Sequence, residues 1–162
     1  MLRCIRMPRT QALDRFDLAI LRELQRRGDL SVAEIGERVG LSHTPCWRRI
    51  KRMEKDGIIR ERVVLLDPVR LGVDVNVFAH VTLTRHDEQT LEAFEQAVQQ
   101  VAEVVECHTV SGDRDFLLRV VVADVGEYEQ LLKTRLVHLP GVASMSSTFA
   151  LKQVKYTTRL PI

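Results

Sequence analysis

Three absences narrow what this chain of 162 residues can do before any motif is considered. It has only three cysteines, Cys4, Cys46 and Cys107, and no Cys-x-x-Cys pair, so neither a disulfide framework nor a structural zinc site is expected. No apolar run approaches the roughly 18 residues that a membrane span needs. The first nine residues are basic but lack the apolar segment and cleavage site of a signal peptide. We therefore expect a cytoplasmic protein without a membrane partner.

A catalytic constellation is also lacking. The five histidines have no metal-ligand spacing, and the adjacent Cys107 and His108 point to opposite faces of a predicted strand, so they cannot form a nucleophile–base pair. Three interpretations of Asp113 and Asp115 remain open: a carboxylate pair for metal or acid–base chemistry, a turn in which each Asp hydrogen-bonds its own backbone, or a cradle for a free amino acid. We expect no enzyme, no cofactor and no metal.

The charge is unevenly distributed, although the net charge is only +2. Residues 1–67 carry fifteen Lys and Arg against ten Asp and Glu, a net charge of +5, whereas residues 68–162 carry nine against twelve, a net charge of −3. The apolar fraction of 45% is ordinary for a globular protein. This distribution predicts a basic part that binds a polyanion and an acidic part with a different task.

The basic part contains the signals of three short helices. Asp14 is a good N-cap for the first, and residues 31–34 form a capping box that begins a second helix, which Gly40 ends. Ser42 caps the third helix, and Pro45 falls in its first turn, where a missing N–H costs nothing. Helices joined by a short turn with glycine predict a helix-turn-helix.

The third helix combines a narrow apolar stripe with many cations. Cys46, Ile50 and Met53 recur at i, i+4 and i+7 and are expected to pack on the core. The amino-terminal end is expected to enter the major groove of DNA. For Trp47, contact with bases and packing against the second helix both remain open. The predicted DNA contacts are the polar residues of that end and the cations after it: Ser42, His43, Thr44, Pro45, Trp47, Arg48, Arg49, Lys51 and Arg52.

Residues 58–66 read as a small β-ribbon behind this helix, a wing or a hinge strand. Arg60 and Arg62 on it either reach phosphate or form a solvated strand face. The predicted organisation is a flexible basic arm (1–12), a winged helix-turn-helix domain (13–66), a linker (67–74) and a carboxy-terminal domain (75–162).

The acidic part shows the order βαββαβ. Strands are predicted over residues 73–84, 104–111, 116–122 and 142–150, and helices over 87–101 and 124–137. This is the split-βαβ arrangement, an antiparallel sheet with both helices on one face, so the fold class is α+β. The other sheet face is expected to carry alternating apolar residues that meet a second subunit. The strand-like tail, residues 152–162, is a candidate for crossing to that subunit.

The chain resembles the Lrp/AsnC (feast/famine) transcriptional regulators from about Leu13 to its end. The resemblance rests on Leu13-Asp14, Val39-Gly40-Leu41-Ser42, Thr44-Pro45-Cys46, Leu66-Asp67-Pro68, Glu106-Cys107-His108, Val110-Ser111-Gly112-Asp113, Asp115, Leu117-Leu118, Leu139-Pro140-Gly141-Val142, Lys155-Tyr156-Thr157-Thr158 and Leu160-Pro161-Ile162. It implies a winged helix-turn-helix joined to a ferredoxin-like effector (RAM) domain, dimers that assemble into octamers or similar discs, and an amino-acid effector bound between carboxy-terminal domains.

Transfer of the family's motifs also implies effector-binding residues. Arg114 stands where an aromatic residue is common, so the side chain of the effector is left open, and His43 stands where a member of the family has proline. The implied effector residues are Thr109, Gly112, Asp113, Arg114 and Asp115, together with Ser146, Thr148 and Ala150 from a neighbouring subunit.

The resulting hypothesis is a sequence-specific, nucleoid-associated regulator whose partners are double-stranded DNA, copies of itself and an amino acid that alters its assembly and DNA binding. One alternative is an effector-independent, nucleoid-structuring DNA-binding protein. A second is an amino-acid-metabolising enzyme with a DNA-binding appendage.

Overall fold

The computed structural model describes residues 12–162, so the predicted basic arm lies outside the described residues except for Ala12. The chain divides into two compact units. The first ends at Leu65 and also includes Lys155–Ile162, and the second is Leu66–Val154. None of the helices in this described part is long and apolar enough to cross a membrane.

The first unit is a three-helix core made of α1 (Arg15–Arg26), α2 (Val32–Val39) and α3 (His43–Lys55). The Asp14 side chain accepts hydrogen bonds from the first turn of α1, and a capping box between Ser31 and Glu34 begins α2. Gly40 ends α2 in the left-handed conformation, with φ of 73°. The apolar faces of the three helices meet in one cluster of buried residues, formed by Ile20, Leu21, Leu30, Ile35, Cys46, Ile50 and Met53.

The chain's last residues pack on α1. Leu160 N donates to Gln25 Oε1 at 2.5 Å, and Arg22 Nε donates to Ile162 O at 2.8 Å. The sequence places this tail with the carboxy-terminal domain, whereas the structure groups it with the helix-turn-helix because these hydrogen bonds tie it to α1. No pattern within the tail itself indicates which surface it contacts.

The β-ribbon predicted over residues 58–66 is not present as strand in the structure. The prediction was wrong because a strand requires a hydrogen-bonded neighbour, and this segment has none among the described residues. Val63, Val64 and Leu65 instead remain 60–82% exposed. A four-residue helix, α4 (Pro68–Leu71), follows within the predicted linker and is capped by the Asp67 side chain.

The second unit is a four-stranded antiparallel sheet with two helices. Its elements in chain order are β1 (Val75–Leu83), α5 (Glu88–Val98), β2 (Val104–Thr109), β3 (Phe116–Val122), α6 (Val125–Thr134), a 3₁₀ turn (Leu136–His138) and β4 (Val142–Phe149). The strand order is β2-β3-β1-β4, so β1 and β3 are central and β2 and β4 are the edges. The predicted βαββαβ order, the ferredoxin-like arrangement, is thereby confirmed.

The two faces of the sheet differ in a way that the sequence did not predict. The strictly alternating apolar residues, such as Val77, Val81, Leu118 and Val120, pack under the helices around Phe94. The other face was expected to be apolar as well, but it mixes apolar with polar and charged side chains. Examples are Phe78, Arg119, Glu106 and Thr148, with Arg119 hydrogen-bonded to Glu106 and Asn76. The expectation treated the alternating apolar residues as if they covered both faces of the sheet. Successive side chains of a strand point to opposite faces, so one alternating set can cover only one face.

Candidate DNA-binding and effector sites

The amino-terminal end of α3 is open to solvent. Ser42, His43, Thr44 and Pro45 are exposed, and Trp47 keeps 45% of its surface accessible. A helix amino terminus presents unpaired backbone N–H groups and the positive end of the helix dipole, both of which suit a phosphate group. Exposure of Trp47 is therefore compatible with contact to a partner, and its packing against α2 and its contact with bases both remain predictions.

A close approach between α2 and the turn before α3 directs this end outward. A Cβ atom built on Gly36 would lie 2.6 Å from the carbonyl oxygen of Leu41, which is closer than any real contact. Leu41 N donates to Gly36 O at 2.8 Å, and the buried Cys46 lies beside the same glycine. Glycine at position 36 therefore lets the turn pack directly on the backbone of α2.

Ser42 occupies the N-cap position of α3, but its hydroxyl makes no capping hydrogen bond. An N-cap side chain accepts a hydrogen bond from the N–H of the second or third helical residue. The third residue here is Pro45, which has no N–H. The prediction that Ser42 is the N-cap of α3 is confirmed, but its hydroxyl makes no capping hydrogen bond and stays available at the exposed end.

Arg49 and Arg52, both predicted to contact DNA, point toward α1 instead of outward. Arg49 Nη1 donates to Asp14 Oδ2 at 2.6 Å and to Asp17 Oδ1 at 2.8 Å. Arg52 Nη2 donates to Asp17 Oδ2 at 2.5 Å. The Arg49 guanidinium also lies 5.5 Å from the centre of the Phe16 ring. We call these four charged residues, Asp14, Asp17, Arg49 and Arg52, the α1–α3 ion cluster.

The carboxylates of the α1–α3 ion cluster are held in the ionised form. Burial raises the pKa of Asp17, but hydrogen bonds from Arg49, the Asp14 backbone and Arg52 outweigh it, so the net shift is downward. The pKa of Asp14 is lowered by hydrogen bonds from the Asp17 backbone and from Arg49. At neutral pH the cluster therefore contains two negative and two positive charges, and its net charge is zero.

The outward cations of α3 are arranged differently. Lys51 Nζ lies 2.7 Å from Glu54 Oε2, an exposed pair that costs little to separate. Arg48 and Lys55 are exposed, and among the described residues no carboxylate lies within 4.0 Å of either. Lys55 was not among the predicted contacts, although the signal that identified Arg48, a cation outside the apolar stripe of α3, applies to it as well.

The implied effector loop connects β2 to β3. Gly112, at the tip of this loop, has φ of 116°, a conformation that other residues rarely adopt. Asp113 is fully on the surface beside it. Arg114 Nη1 donates to Thr82 Oγ1 at 3.1 Å, so this cation is directed toward the end of β1.

Asp115 has a structural task in this loop. Its Oδ2 accepts a hydrogen bond from Leu83 N at 2.8 Å, and its Oδ1 lies 2.9 Å from His86 Nε2. Its backbone N–H donates to Val81 O at 2.9 Å. Both carboxylate oxygens are therefore occupied by the end of β1 and by His86, so Asp115 fastens the loop to β1 instead of hydrogen-bonding its own backbone as the turn interpretation had it. Asp113, by contrast, keeps its carboxylate at the surface.

The second group of implied effector residues lies on the opposite edge of the sheet. Ser146 and Thr148 are on β4, opposite His80 and Phe78 of β1, and Ala150 follows just after. Thr109 is on β2, the other edge, with β3 and β1 between. Three strand spacings of about 4.8 Å separate the two edges, roughly 14 Å. One chain does not bring the two groups together.

Neither a metal centre nor a reactive thiol emerges from the described residues. They contain no group of three or more His, Cys, Asp or Glu side chains that can hold a metal ion. Burial raises the pKa of both the Cys46 and the Cys107 thiols, which disfavours the reactive thiolate at neutral pH. Cys46 is fully buried, as its predicted packing role requires.

A capped helix-turn-helix with an exposed cationic helix, joined to a split-βαβ domain, defines a two-domain DNA-binding transcriptional regulator. A family model described as winged helix-turn-helix DNA-binding matches residues 13–60, and one described as Lrp/AsnC ligand binding domain matches residues 76–160. The chain belongs to the Lrp/AsnC family. The relatives that it matches are regulators and not enzymes.

Similarity to individual relatives extends over almost the whole chain. The leucine-responsive regulatory protein of Haemophilus influenzae is 44% identical over 152 residues, 94% of this chain and 92% of that protein. The protein of the same name from Escherichia coli is 43% identical over 150 residues, 93% of this chain and 92% of that protein.

Solved structures show the same correspondence. An AsnC family transcriptional regulator from Agrobacterium tumefaciens is 47% identical, with a TM-score of 0.87 over 92% of this chain and 97% of that one. A Neisseria meningitidis transcriptional regulator solved as a complex with L-Met is 35% identical, with a TM-score of 0.87 over 93% of this chain and 97% of that one.

Proposed function

We propose that this protein regulates transcription by placing the amino-terminal end of α3 in the major groove, and that an amino acid held between neighbouring copies modulates this binding. The DNA-binding part of the proposal is supported by one observation: the amino-terminal end of α3, from Ser42 to Arg48, is exposed to solvent apart from the buried Cys46. The proposed contacts with bases and phosphates are Ser42, His43, Thr44, Pro45, Trp47, Arg48 and Lys51. The proposed location is the nucleoid in the cytoplasm.

These side chains differ in the DNA groups that they can contact. The Ser42 hydroxyl and the His43 ring can donate or accept at base edges, and Arg48 has the fork that matches guanine O6 and N7. Lys51 suits phosphate as a point charge. Each good bidentate base contact contributes roughly 1–3 kcal/mol of discrimination. Arg49 and Arg52 remain predicted contacts, but with their charges compensated by Asp14 and Asp17 we propose that their main role is support.

The amino-acid-binding part of the proposal rests on the distance between the two sets of implied effector residues. Thr109 lies on the edge strand β2, whereas Ser146 and Thr148 lie on the opposite edge strand β4, with Ala150 just after it. A ligand that contacts both Thr109 and these β4 residues must bridge two copies. We propose that Asp113 receives the ammonium group of the amino acid and that the loop backbone beside Gly112 receives its carboxylate. The L-Met complex of the Neisseria regulator supports an amino acid as the ligand.

The proposed mechanism is linkage between the two sites. Copies form dimers through the sheets, and dimers form octamers or similar assemblies; the amino acid changes their number or their angles. That change alters how many α3 helices meet successive major-groove faces, which lie about 34 Å apart. A coupling of roughly 1–3 kcal/mol corresponds to a change in affinity of about 5- to 150-fold.

The test measures assembly and DNA protection together. Size-exclusion chromatography with light scattering and DNase footprinting are run with each of the twenty amino acids. We expect at least one amino acid to change both. Asp113→Asn should abolish this response, and Asp74→Asn, the same change at another exposed Asp of the second unit, should preserve it.

Two results would contradict the proposal separately. DNA protection that no amino acid alters refutes the effector half and favours an effector-independent, nucleoid-structuring protein. Binding that depends on salt but not on sequence refutes the sequence-specific half.

A further inference from the structure

We infer that Asp17 is a positioning residue for sequence-specific DNA binding: through Arg49 and Arg52 it fixes the direction in which α3 presents its amino-terminal end. This inference rests on the proposed role of α3 as the helix that contacts DNA.

Burial of Asp17 is the first observation. Among the described residues it is the only charged side chain in the buried class, with 0% of its surface exposed. Aspartate is seldom buried completely unless it is paired, because removing its charge from water is costly. Its N-capping hydrogen bond, from Asp14 N at 3.1 Å, needs only one carboxylate oxygen at the helix end. Stability of α1 alone therefore does not account for a buried carboxylate that also contacts two arginines of another helix.

The position of the two arginines on α3 is the second observation. Arg49 and Arg52 are three residues apart, so they lie on one side of the helix, and each directly precedes a core residue, Ile50 or Met53. The apolar contacts of α3 are not directional, so they fix its rotation about the helix axis less sharply than hydrogen bonds do. Two guanidinium groups that share one fixed carboxylate restrict that rotation through directional hydrogen bonds.

Rotation of α3 has a direct consequence for the proposed base contacts. Arg48 is adjacent to Arg49, so its direction differs by about 100° around the helix and turns with it. A rotation that released Arg49 would move Arg48, Trp47 and Ser42 together relative to the groove. Misdirected side chains lose base contacts, whereas contacts to phosphate, which repeat along the DNA, are easily replaced.

Loss of the Asp17 charge should change the electrostatic attraction to DNA in the opposite direction from its effect on the base contacts. This difference distinguishes a positioning role from a general loss of structure. Replacing Asp17 by Asn removes a negative charge from the DNA-binding unit and leaves Arg49 and Arg52 with one carboxylate, Asp14, between them. Nonspecific binding, to DNA that lacks the preferred sequence, should then stay the same or become tighter, because more positive charge faces the phosphates. Binding to the preferred sequence should weaken, so specificity falls while nonspecific affinity does not.

The experiment uses the full-length chain and two DNA duplexes: one selected from random sequence by the wild-type protein, and a scrambled version of it. For Asp17→Asn we expect the ratio of the two affinities to fall about tenfold or more, with affinity for scrambled DNA unchanged or higher. The matched control is Glu23→Gln, which removes the same charge from α1. Glu23 pairs with Arg26 and Arg38, so it ties α1 to α2 and not to α3. It should leave the ratio unchanged.

A second variant covers the case in which Asp17→Asn fails to fold, which Trp47 fluorescence reports. Arg49→Gln leaves Asp17 paired with Arg52. If Arg49 positions α3, the ratio falls and the dependence of scrambled-DNA affinity on salt is unchanged. If Arg49 contacts phosphate, both affinities fall together and the logarithmic salt slope decreases by about 0.9.

The outcomes separate the inference from the proposed function. A wild-type chain that selects no sequence, or does not distinguish it from scrambled DNA, refutes the proposed function. A wild-type ratio that persists in folded Asp17→Asn, or joint weakening with a shallower slope in Arg49→Gln, overturns only the positioning role of Asp17.

Discussion

Replacing Gly36 by alanine tests the close packing that directs α3. Alanine favours a helix interior by up to about 1 kcal/mol over glycine, so an isolated α2 would be strengthened. In the folded protein the added Cβ would lie 2.6 Å from Leu41 O, a backbone atom that cannot rotate away. Either the turn moves or the hydrogen bond from Leu41 N to Gly36 O, 2.8 Å long, is distorted.

The magnitude follows from these opposing effects. Overpacking of this kind costs about 1–3 kcal/mol, and a weakened hydrogen bond adds up to about 1 kcal/mol. The helix-propensity gain of up to about 1 kcal/mol roughly cancels the weakened hydrogen bond, so the overpacking dominates. We therefore expect Gly36→Ala to lower the free energy of unfolding by about 1–3 kcal/mol; the lower part of this range, about 1–2 kcal/mol, applies if the turn relaxes. For a unit of this size, about 1–2 kcal/mol corresponds to a fall in the unfolding midpoint of roughly 4–16 °C.

Because the protein has a single tryptophan, its fluorescence can follow the unfolding of one unit. Trp47 lies on α3, so its fluorescence during thermal or urea unfolding reports on the first unit. The control is Gly28→Ala: a Cβ there meets nothing within 4 Å and φ is not positive, so stability should be unchanged or slightly higher. A Gly36→Ala protein as stable as the wild type would refute the packing argument.

Three further predictions use the same logic. Met53→Ala empties a fully buried site and should lower stability by about 2–5 kcal/mol in the Trp47 assay, and a loss below about 1 kcal/mol would contradict its core role. Tyr128→Phe removes the 2.5 Å hydrogen bond to Ser147 and should cost about 1 kcal/mol by circular dichroism melting; no change would show the bond to be dispensable. The pKa of Asp17 is lowered by folding, so its stabilisation is complete above its ordinary pKa of about 3.9 and is lost as the pH falls through the folded value. Acid unfolding should therefore be shallower in Asp17→Asn.

Local signals in the sequence were sufficient for most of the secondary structure. The caps at Asp14 and at Ser31 with Glu34 act within four residues, and their hydrogen bonds form as expected. The order of strands and helices in the second unit follows from periods of 2 and 3.6 residues, which also depend only on near neighbours. The strand over Phe116–Val122 has the predicted bounds for this reason.

Sequence patterns whose outcome depends on residues far away along the chain gave wrong predictions or none. Residues 58–66 have the composition of a strand, but no strand lies beside them in the part of the chain that the structure describes. The tail resembles part of the second domain but is hydrogen-bonded to Gln25 of α1.

The sequence by itself determined that α3 is a cationic helix with Cys46, Ile50 and Met53 on its inner face, since composition and helical period are properties of the chain alone. Only the tertiary structure decided which of its cations are compensated. Asp14 and Asp17 are more than thirty residues away from Arg49 and Arg52 along the chain, and folding brings them within 2.5–2.8 Å. Because Coulomb interactions and hydrogen bonds depend on distance in space, the division of α3 into an inward, compensated side and an outward side, the one proposed to bind DNA, exists only in the folded protein.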